Sequence, residues 1–142
     1  MKFSQQRIVR FGECDPAGVV YYPVFFHWFH ELMECWFERH LGRSYAECVQ
    51  TIGFPAKETK AEFFRPCALG EELCLTMYLR RLSARSMTIA ISIEGSGSIK
   101  AKGHVVCVCI GVQATGFQFS SQEIPQDLFQ KMEKFLHPED ST

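Results

Sequence analysis

The 142-residue sequence has no charge excess of either sign and no long apolar run. Lysine and arginine number 15 against 16 aspartate and glutamate, so no net field would steer the protein onto nucleic acid or an anionic membrane. No uninterrupted apolar stretch approaches the ~20 residues of a membrane-spanning helix, and the N-terminus has no apolar signal segment. The sequence therefore predicts a cytoplasmic protein that binds neither nucleic acid nor membrane.

The seven cysteines lack the spacing of a metal or redox motif. No C-x-x-C pair and no zinc-ribbon spacing occurs among them. Cys107 and Cys109 stand two apart in a β-branched run, which places both side chains on one face of a strand. Cys14 has no histidine in its own loop that would activate it as a nucleophile. Free buried thiols are therefore the interpretation, and no metal or other cofactor is expected.

Length and composition favour one folded domain spanning residues 1–142. Nearly half of the residues are hydrophobic, and 13 Phe with 4 Tyr and 2 Trp predict an aromatic core. Such a composition excludes an intrinsically disordered chain. A chain of this size buries well over half of the surface that its unfolded form exposes.

Hydrophobic periodicity predicts one long helix near the start of the chain. Pro23 opens a segment that runs to about Leu41 with apolar residues at helical spacing, and Gly42 ends it. Its apolar side chains cover most of the circumference, so we expect the helix to be enclosed. The other predicted elements are a strand from Phe3 to Phe11, a short helix capped by Ser44 and ended by Gly53, strands around Leu73–Leu79 and Ile89–Ile93, a hairpin turn at Gly95–Ser98, a return strand from Ile99 to Ile110, a short strand between Val112 and Phe119, and a last helix from Pro125.

The order of these elements predicts an α+β fold. One enclosed helix is followed by consecutive strands joined by short connections, which pair antiparallel, rather than by alternating strand–helix–strand units. The economical packing wraps the sheet around the helix. An edge strand of such a sheet is free to pair with another subunit, so we expect a dimer or a larger assembly.

Asp15 is the first candidate for chemistry. It lies in the loop before the long helix, next to the rigid Pro16 and between Gly12 and Gly18. A helix start presents unpaired backbone N–H groups, which suit a developing oxyanion. A carboxylate beside it is placed to attack a carbonyl or to activate a water. The alternative is that Asp15 only caps a turn.

The loop also has a family resemblance. Residues Phe11–Pro23 read F-G-E-C-D-P-A-G-V-V-Y-Y-P, which closely resembles the active-site loop F-G-[DE]-C-D-P-A-G-[IV]-V-[YFW]-[YF]-P of the 4-hydroxybenzoyl-CoA thioesterase family. The resemblance implies the hotdog fold, a curved antiparallel sheet wrapped around one long helix. Members of the family usually assemble as a tetramer built from dimers, so the resemblance implies a homodimer or a homotetramer. It also implies that Asp15 is the catalytic carboxylate and that the backbone N–H of Tyr22 polarises the thioester carbonyl.

A basic turn lies between two of the predicted strands. Arg80, Arg81 and Arg85 concentrate positive charge there, suited to a CoA phosphate, although a solvated turn is the simpler interpretation. The resemblance implies that Arg85 contacts CoA across the dimer. Ser83 departs from the family pattern, which has arginine at that position, so part of the basic cluster is missing.

The resemblance implies an acyl-CoA thioesterase that releases a free acid and CoA, with an aromatic, hydroxybenzoyl-like acyl group as the expected substrate. The alternatives are a thioesterase for short or medium aliphatic chains, a hotdog dehydratase, whose histidine the loop lacks, and a non-catalytic acyl-CoA-binding module. Phe54 stands where the benzoyl-type enzyme has threonine, so recognition of a ring hydroxyl does not carry over. Phe26, Trp28 and Phe54 belong either to an acyl pocket or to the core, and the core is favoured.

A polar stripe on the long helix has residue types that could bind a metal, although a stripe that faces a subunit interface is the simpler interpretation. The stripe consists of His27, His30, Glu31, Glu34 and Glu38. Glu31 and Glu34 are second candidates for the catalytic carboxylate, because other hotdog thioesterases carry it inside this helix. His104 lies in a predicted strand and is expected to be a hydrogen-bonded structural histidine.

Overall fold

The computed structural model describes residues 1–113 and 116–138 and shows three helices and eight strands there. In chain order the elements are β1 Phe3–Ile8, α1 Pro23–His40, α2 Tyr45–Cys48, β2 Ile52–Gly53, β3 Ala56–Phe63, β4 Glu72–Leu82, β5 Ser86–Gly95, β6 Ser98–Val108, β7 Ile110–Gln113, β8 Gly116–Ser121 and α3 Gln126–Glu133.

The strands form two antiparallel sheets. The larger sheet has the order β1-β4-β5-β6-β3, and the smaller one has the order β2-β7-β8. The predicted α+β class is therefore confirmed. The hairpin between β5 and β6 turns at Ser96 and Gly97, whose φ angles are 52° and 75°. Positive φ at both central residues matches the twist of the flanking strands, and the turn predicted at Gly95–Ser98 is confirmed.

Helix α1 is buried on its apolar sides, whereas its polar stripe is largely exposed, so it is less enclosed than its sequence predicts. Its buried side chains are Phe25, Trp28, Phe29, Leu32, Met33, Trp36 and Phe37. Side chains of strand β4 alternate between the core and the outer face of the sheet. Those that face the core are Leu73, Leu75, Met77 and Leu79, while the residues between them are partly exposed. None of the described helices is long and apolar enough to cross a bilayer.

Four of the predicted boundaries need correction. Strand β1 ends at Ile8 rather than Phe11, because Phe11–Glu13 form a 3-10 turn. Helix α2 ends at Cys48, and Gly53 pairs with Ile110 in the smaller sheet. The return strand ends at Val108 and a new strand starts at Ile110. Two strands occupy the region of the predicted strand Val112–Phe119, of which residues 114–115 lie outside the described part of the chain.

Strand β3 is absent from the sequence prediction. It reads AKETKAEF, and every residue in it except the half-buried Ala61 is exposed. Because its residues are exposed apart from Ala61, the sequence of the strand lacks the apolar alternation that reveals β4 and β5. It pairs with β6 on one side only and forms an edge of the larger sheet.

Gly103 in β6 provides a test of the packing between the sheet and α1. A Cβ atom at this position would lie 2.5 Å from the carbonyl oxygen of Lys60 and 2.6 Å from the buried ring of Phe29. Neither neighbour is the free end of a flexible chain, so Gly103→Ala should lower the free energy of unfolding by about 1–3 kcal/mol in urea titrations. Gly12→Ala is the control, since no atom lies within 4 Å of its added Cβ. Equal stability of the two variants would contradict this packing.

Candidate active site

The loop between β1 and α1 folds back on itself. Cys14 and Val20 form an isolated antiparallel bridge. The Asp15 N–H donates to the Val19 carbonyl at 2.9 Å, and the Tyr21 N–H donates to the Glu13 carbonyl at 3.0 Å. The two halves of the loop are therefore held side by side, directly before the start of the helix.

Asp15 caps its own turn with one carboxylate oxygen. Its Oδ1 accepts the Ala17 N–H at 2.9 Å, while its carbonyl accepts the Gly18 N–H at 3.0 Å. Gly18 has a φ of 79°, a left-handed conformation that glycine adopts without strain. Within the described residues, Oδ2 has no hydrogen-bond partner. The turn-capping role and an available carboxylate oxygen are both present in this residue.

The start of α1 presents one free backbone donor beside this loop. Pro23 has no N–H, and the N–H groups of Val24 and Phe25 donate to the carbonyls of Tyr21 and Tyr22 at 2.9 and 3.2 Å. The Tyr22 N–H has no acceptor among the residues that the structure describes. It lies at the positive end of the helix dipole, the place where negative charge is stabilised.

Glu13 joins the loop to the elements on both sides, a connection that the sequence prediction missed. Its carboxylate accepts the Trp28 indole N–H at 2.7 Å and the Arg10 backbone N–H at 2.8 Å, and it forms an ion pair with Arg7 on β1. The Arg7 guanidinium also lies over the Trp28 ring at 4.8 Å and binds Glu31 at 2.9 Å. Residues 10 and 13 have the spacing of a capping box. The sequence does not reveal it, because the first position is usually Ser or Thr and here it is Arg10.

The electrostatics of Glu13 follow from these contacts. Burial acts to raise the pKa of its carboxyl group, but the Arg10 backbone N–H, the Arg7 guanidinium and the Trp28 indole outweigh it. The pKa therefore lies below its ordinary value, and the carboxylate is charged at neutral pH. A charged Glu13 that is fully occupied with donors is a structural anchor rather than a catalyst.

Large apolar side chains are exposed around the loop. They are Phe11, Tyr21, Tyr22, Phe63, Phe64 and Leu69, with exposed fractions between 47% and 83%. Phe63 also contacts the core, because its ring lies 5.0 Å from the buried ring of Phe25. The Phe25 ring in turn lies 5.3 Å from that of Trp28. An exposed apolar surface of this kind marks a ligand-binding or subunit-binding region.

The three aromatic residues considered for an acyl pocket belong to the core or pack against it, as the sequence favours. Trp28 and Phe54 are buried in the core, where the Phe54 ring lies 5.4 Å from that of Phe37. Phe26 is half-buried and its ring packs at 5.8 Å against Phe29. The aromatic groups that a ligand can reach are those exposed around the loop.

Arg85 lies at the other end of the larger sheet. Strand β4 starts beside the loop, where Glu72 pairs with Ile8, and runs for eleven residues before the turn that carries Arg85. At ~3.3 Å per residue this separates the turn from the loop by about 30 Å. Arg85 itself donates to the Ser121 carbonyl at 2.9 Å. The structure thus brings together Asp15 and Tyr22, and it does not bring Arg85 to them within one chain.

Four of the five residues in the polar stripe on α1 form ion pairs with each other, whereas Glu38 is exposed and has no such partner among the described residues. His27 and Glu31 lie 3.4 Å apart and His30 and Glu34 lie 3.5 Å apart, as pairs spaced by one helical turn. His104 contacts Glu58 at 2.7 Å, which confirms the prediction of a hydrogen-bonded histidine.

All seven thiols are free as predicted, but three of them, Cys14, Cys35 and Cys74, are only partly buried. Cys107 and Cys109 are buried and free, and Cys14 packs against the core. Burial raises the pKa of Cys107 to about 12 and, together with the nearby Cys48, that of Cys109 to about 11. Buried thiols with raised pKa values are poor nucleophiles.

The anchoring role of Glu13 is open to measurement. Glu13→Gln removes the charge-assisted hydrogen bonds and should lower the free energy of unfolding at pH 7 by about 1–3 kcal/mol. The pKa of Glu13 is lower in the folded protein than its ordinary value of 4.5. The carboxylate therefore adds its full contribution to the free energy of unfolding above pH 4.5, and this contribution is lost as the pH falls through the lower pKa of the folded state. The difference between wild type and variant should therefore shrink in acid.

Urea unfolding between pH 3 and pH 7 would follow this difference. Asp127→Asn is the matched control, because Asp127 pairs with Arg43 at 2.6 Å on an exposed surface, and such pairs contribute less than about 1 kcal/mol. A Glu13→Gln variant as stable as the wild type at pH 7 would contradict the anchoring role.

Three comparisons place this fold and loop among known proteins. A 1,4-dihydroxy-2-naphthoyl-CoA hydrolase of Nostoc punctiforme is 26% identical over 138 residues, which cover 94% of this chain and 88% of that protein. The structure of a 1,4-dihydroxy-2-naphthoyl-CoA thioesterase from Synechocystis has a TM-score of 0.83 at 23% identity and covers 97% of this chain and 100% of that one. The 4-hydroxybenzoyl-CoA thioesterase of a Pseudomonas strain has a TM-score of 0.80 at 18% identity, with coverages of 91% and 97%.

The structural matches confirm the predicted hotdog fold, and the relatives named as CoA-ester hydrolases confirm the predicted enzyme class. The family model described as the thioesterase-like superfamily matches residues 9–132. This range includes the whole loop that contains Asp15 and Tyr22. The chain therefore belongs to the thioesterase-like superfamily.

Proposed function

We propose that this protein hydrolyses an aromatic acyl-CoA thioester at the loop before α1. The observation that carries the proposal is the pairing in that loop of the Asp15 Oδ2 with the Tyr22 N–H at the helix start, neither of which has a hydrogen-bond partner among the described residues. A thioester carbonyl that accepts the Tyr22 N–H gains stabilisation as its oxygen becomes negative. Asp15 then supplies either a nucleophile or a base.

Two mechanisms satisfy this geometry. In the first, an Asp15 oxygen attacks the carbonyl carbon, the C–S bond breaks, CoA leaves as a thiolate, and water then hydrolyses the acyl–aspartate anhydride. In the second, Asp15 takes a proton from a water molecule that attacks the same carbon. Both mechanisms use the same oxyanion donor and produce a free acid and CoA.

Two observations support an aromatic acyl group. The relatives of Nostoc punctiforme and Synechocystis are named for a naphthoyl-CoA substrate. The apolar side chains exposed around the loop are mainly aromatic, which suits stacking against a planar acyl ring. Aliphatic acyl-CoA is the competing class. A panel of benzoyl-, hydroxybenzoyl-, naphthoyl- and straight-chain acyl-CoA, assayed by thiol release, distinguishes the two classes.

A dimer formed through β3 would complete the site. The Ala56 end of β3 lies on the side of the Arg85 turn, because Ala56 pairs with Cys107 and Cys107 pairs with Met87. The Phe63 end lies on the side of the loop. Antiparallel pairing of β3 with a second copy places the Arg85 end of one subunit beside the loop of the other. Arg85 of the partner subunit is then placed to hold a CoA phosphate.

The proposed compartment is the cytoplasm. All seven cysteines are free thiols. Such a set persists in a reducing environment, whereas oxidising compartments favour disulfides.

Replacing Asp15 tests the catalytic carboxylate. Asp15→Asn keeps the shape of the side chain and its Oδ1 contact, but removes the charge and the proton acceptor. The kcat should fall by at least ~100-fold, with little change in KM or stability. A variant that binds acyl-CoA and still turns over at the wild-type rate would contradict the assignment and direct attention to Glu31 and Glu34. If the wild-type protein binds acyl-CoA without hydrolysing any of the panel, the protein is a binding module instead.

Subunit mixing tests the position of Arg85. Arg85→Ala alone should raise KM for acyl-CoA and spare a short thioester without the nucleotide, whereas the neighbouring Arg81→Ala serves as control. A mixed dimer of Asp15→Asn and Arg85→Ala subunits contains one site with both normal residues. Refolding the two variants together should therefore restore turnover with wild-type KM. If the mixture only averages the two separate proteins, Arg85 does not act across the interface.

A further inference from the structure

A second charged cluster lies behind the loop and is centred on a buried lysine. Within the described part of the chain, Lys100 is the one charged residue that is buried, with 8% of its surface exposed. Its Nζ lies 2.9 Å from the Glu71 carboxylate and donates to the Pro66 carbonyl at 3.2 Å. Ser96 donates to the same carboxylate at 2.6 Å.

The backbone places Lys100 there through a β-bulge. Ile93 pairs with Ala101 and Glu94 pairs with Ile99, so Lys100 is an extra residue in β6. A bulge of this kind redirects one side chain. The carbonyl of Lys100 accepts the N–H groups of Phe64 and Arg65 at 2.9 and 3.2 Å, which fixes the chain that leaves β3.

Glu71 stabilises the turn of the segment 66–71, which contacts the loop. Its carboxylate accepts the Ala68 N–H at 3.0 Å, and its own N–H donates to the Ala68 carbonyl at 3.0 Å. Burial acts to raise the pKa of Glu71, but the Ser96 hydroxyl, the Lys100 ammonium and the Ala68 N–H outweigh it and keep the pKa below its ordinary value. The carboxylate is therefore charged and has a donor on each side.

Residues 66–71 hold the loop at both of its ends. At the far end, the Val20 N–H donates to the Cys67 carbonyl at 2.9 Å and the Leu69 N–H donates to the Gly18 carbonyl at 3.0 Å. At the near end, Val9 exchanges hydrogen bonds of 3.0 Å with Gly70 and Glu71. Any shift in this segment is transmitted directly to the backbone on both sides of Asp15.

We propose that Lys100 and Glu71 are positioning residues for the catalytic loop, and that their function is to fix the backbone of residues 66–71 rather than to stabilise the fold. The inference builds on the proposed role of Asp15. A buried ion pair contributes little net stability, because removing both charges from water costs about as much as their attraction gains, and an apolar pair of similar size often serves as well. An apolar pair cannot provide the directional bonds to Pro66 and Ala68.

The double variant Lys100→Met with Glu71→Met separates position from stability. It leaves no buried charge unpaired, so its free energy of unfolding should equal or exceed that of the wild type. The loop should lose its alignment, and kcat should fall by about 10- to 100-fold with KM within about twofold. Hydrogen exchange at the Val20 and Leu69 amides should become faster at the same time. Arg43→Met with Asp127→Met, which removes an exposed ion pair, should leave kcat and these amides unchanged.

A stable double variant with wild-type kcat and wild-type exchange would overturn the proposal, and so would a double variant that fails to fold, because the pair would then act through stability. Hydrogen exchange does not depend on activity. If Asp15→Asn proves fully active, the catalytic role of Asp15 fails, while the exchange rates still report whether the pair fixes the loop.

Discussion

Burial of α1 is the constraint on which the other elements depend. Its apolar side chains face in several directions, and one sheet face covers only part of them. The larger sheet covers one side, while Phe135 after α3 and Phe54 after β2 pack against Trp36 and Phe37 on others. Because the helix is held on all these sides, its N-terminus has a fixed position, and the loop that precedes it has a fixed neighbour.

The core and the loop are held by different forces. Apolar packing gives the helix its place but does not specify the direction of a backbone N–H group, whereas hydrogen bonds to a charged group do. Two carboxylates supply that direction here. Glu13 ties the loop to β1 and to Trp28, and Glu71 ties the supporting segment to Lys100. The carboxylate between them, Asp15, keeps one oxygen without a partner among the described residues, which is what its proposed catalytic role requires.

Elements with a regular hydrophobic period or a known motif could be predicted from the sequence. Helix α1, the buried faces of β4 and β5, the turn at Ser96–Gly97 and the loop around Asp15 all follow from local patterns. Strand β3 does not, because an edge strand with mostly exposed residues has no apolar period. The Glu13 and Lys100 clusters are also invisible in the sequence. Their partners lie up to 34 residues apart, and the bulge that buries Lys100 appears only when β5 and β6 are paired.

The separation of Arg85 from Asp15 links the proposed chemistry to assembly. The carboxylate and the oxyanion donor come from one short loop and are already together in a single chain. A phosphate contact from the far end of a sheet about 30 Å long requires a second chain. Changes along the exposed edge of β3 should then act on CoA binding, whereas changes behind the loop at Lys100 and Glu71 should act on turnover. In the proposed mechanism, binding and catalysis thus depend on different surfaces, one between subunits and one within the subunit.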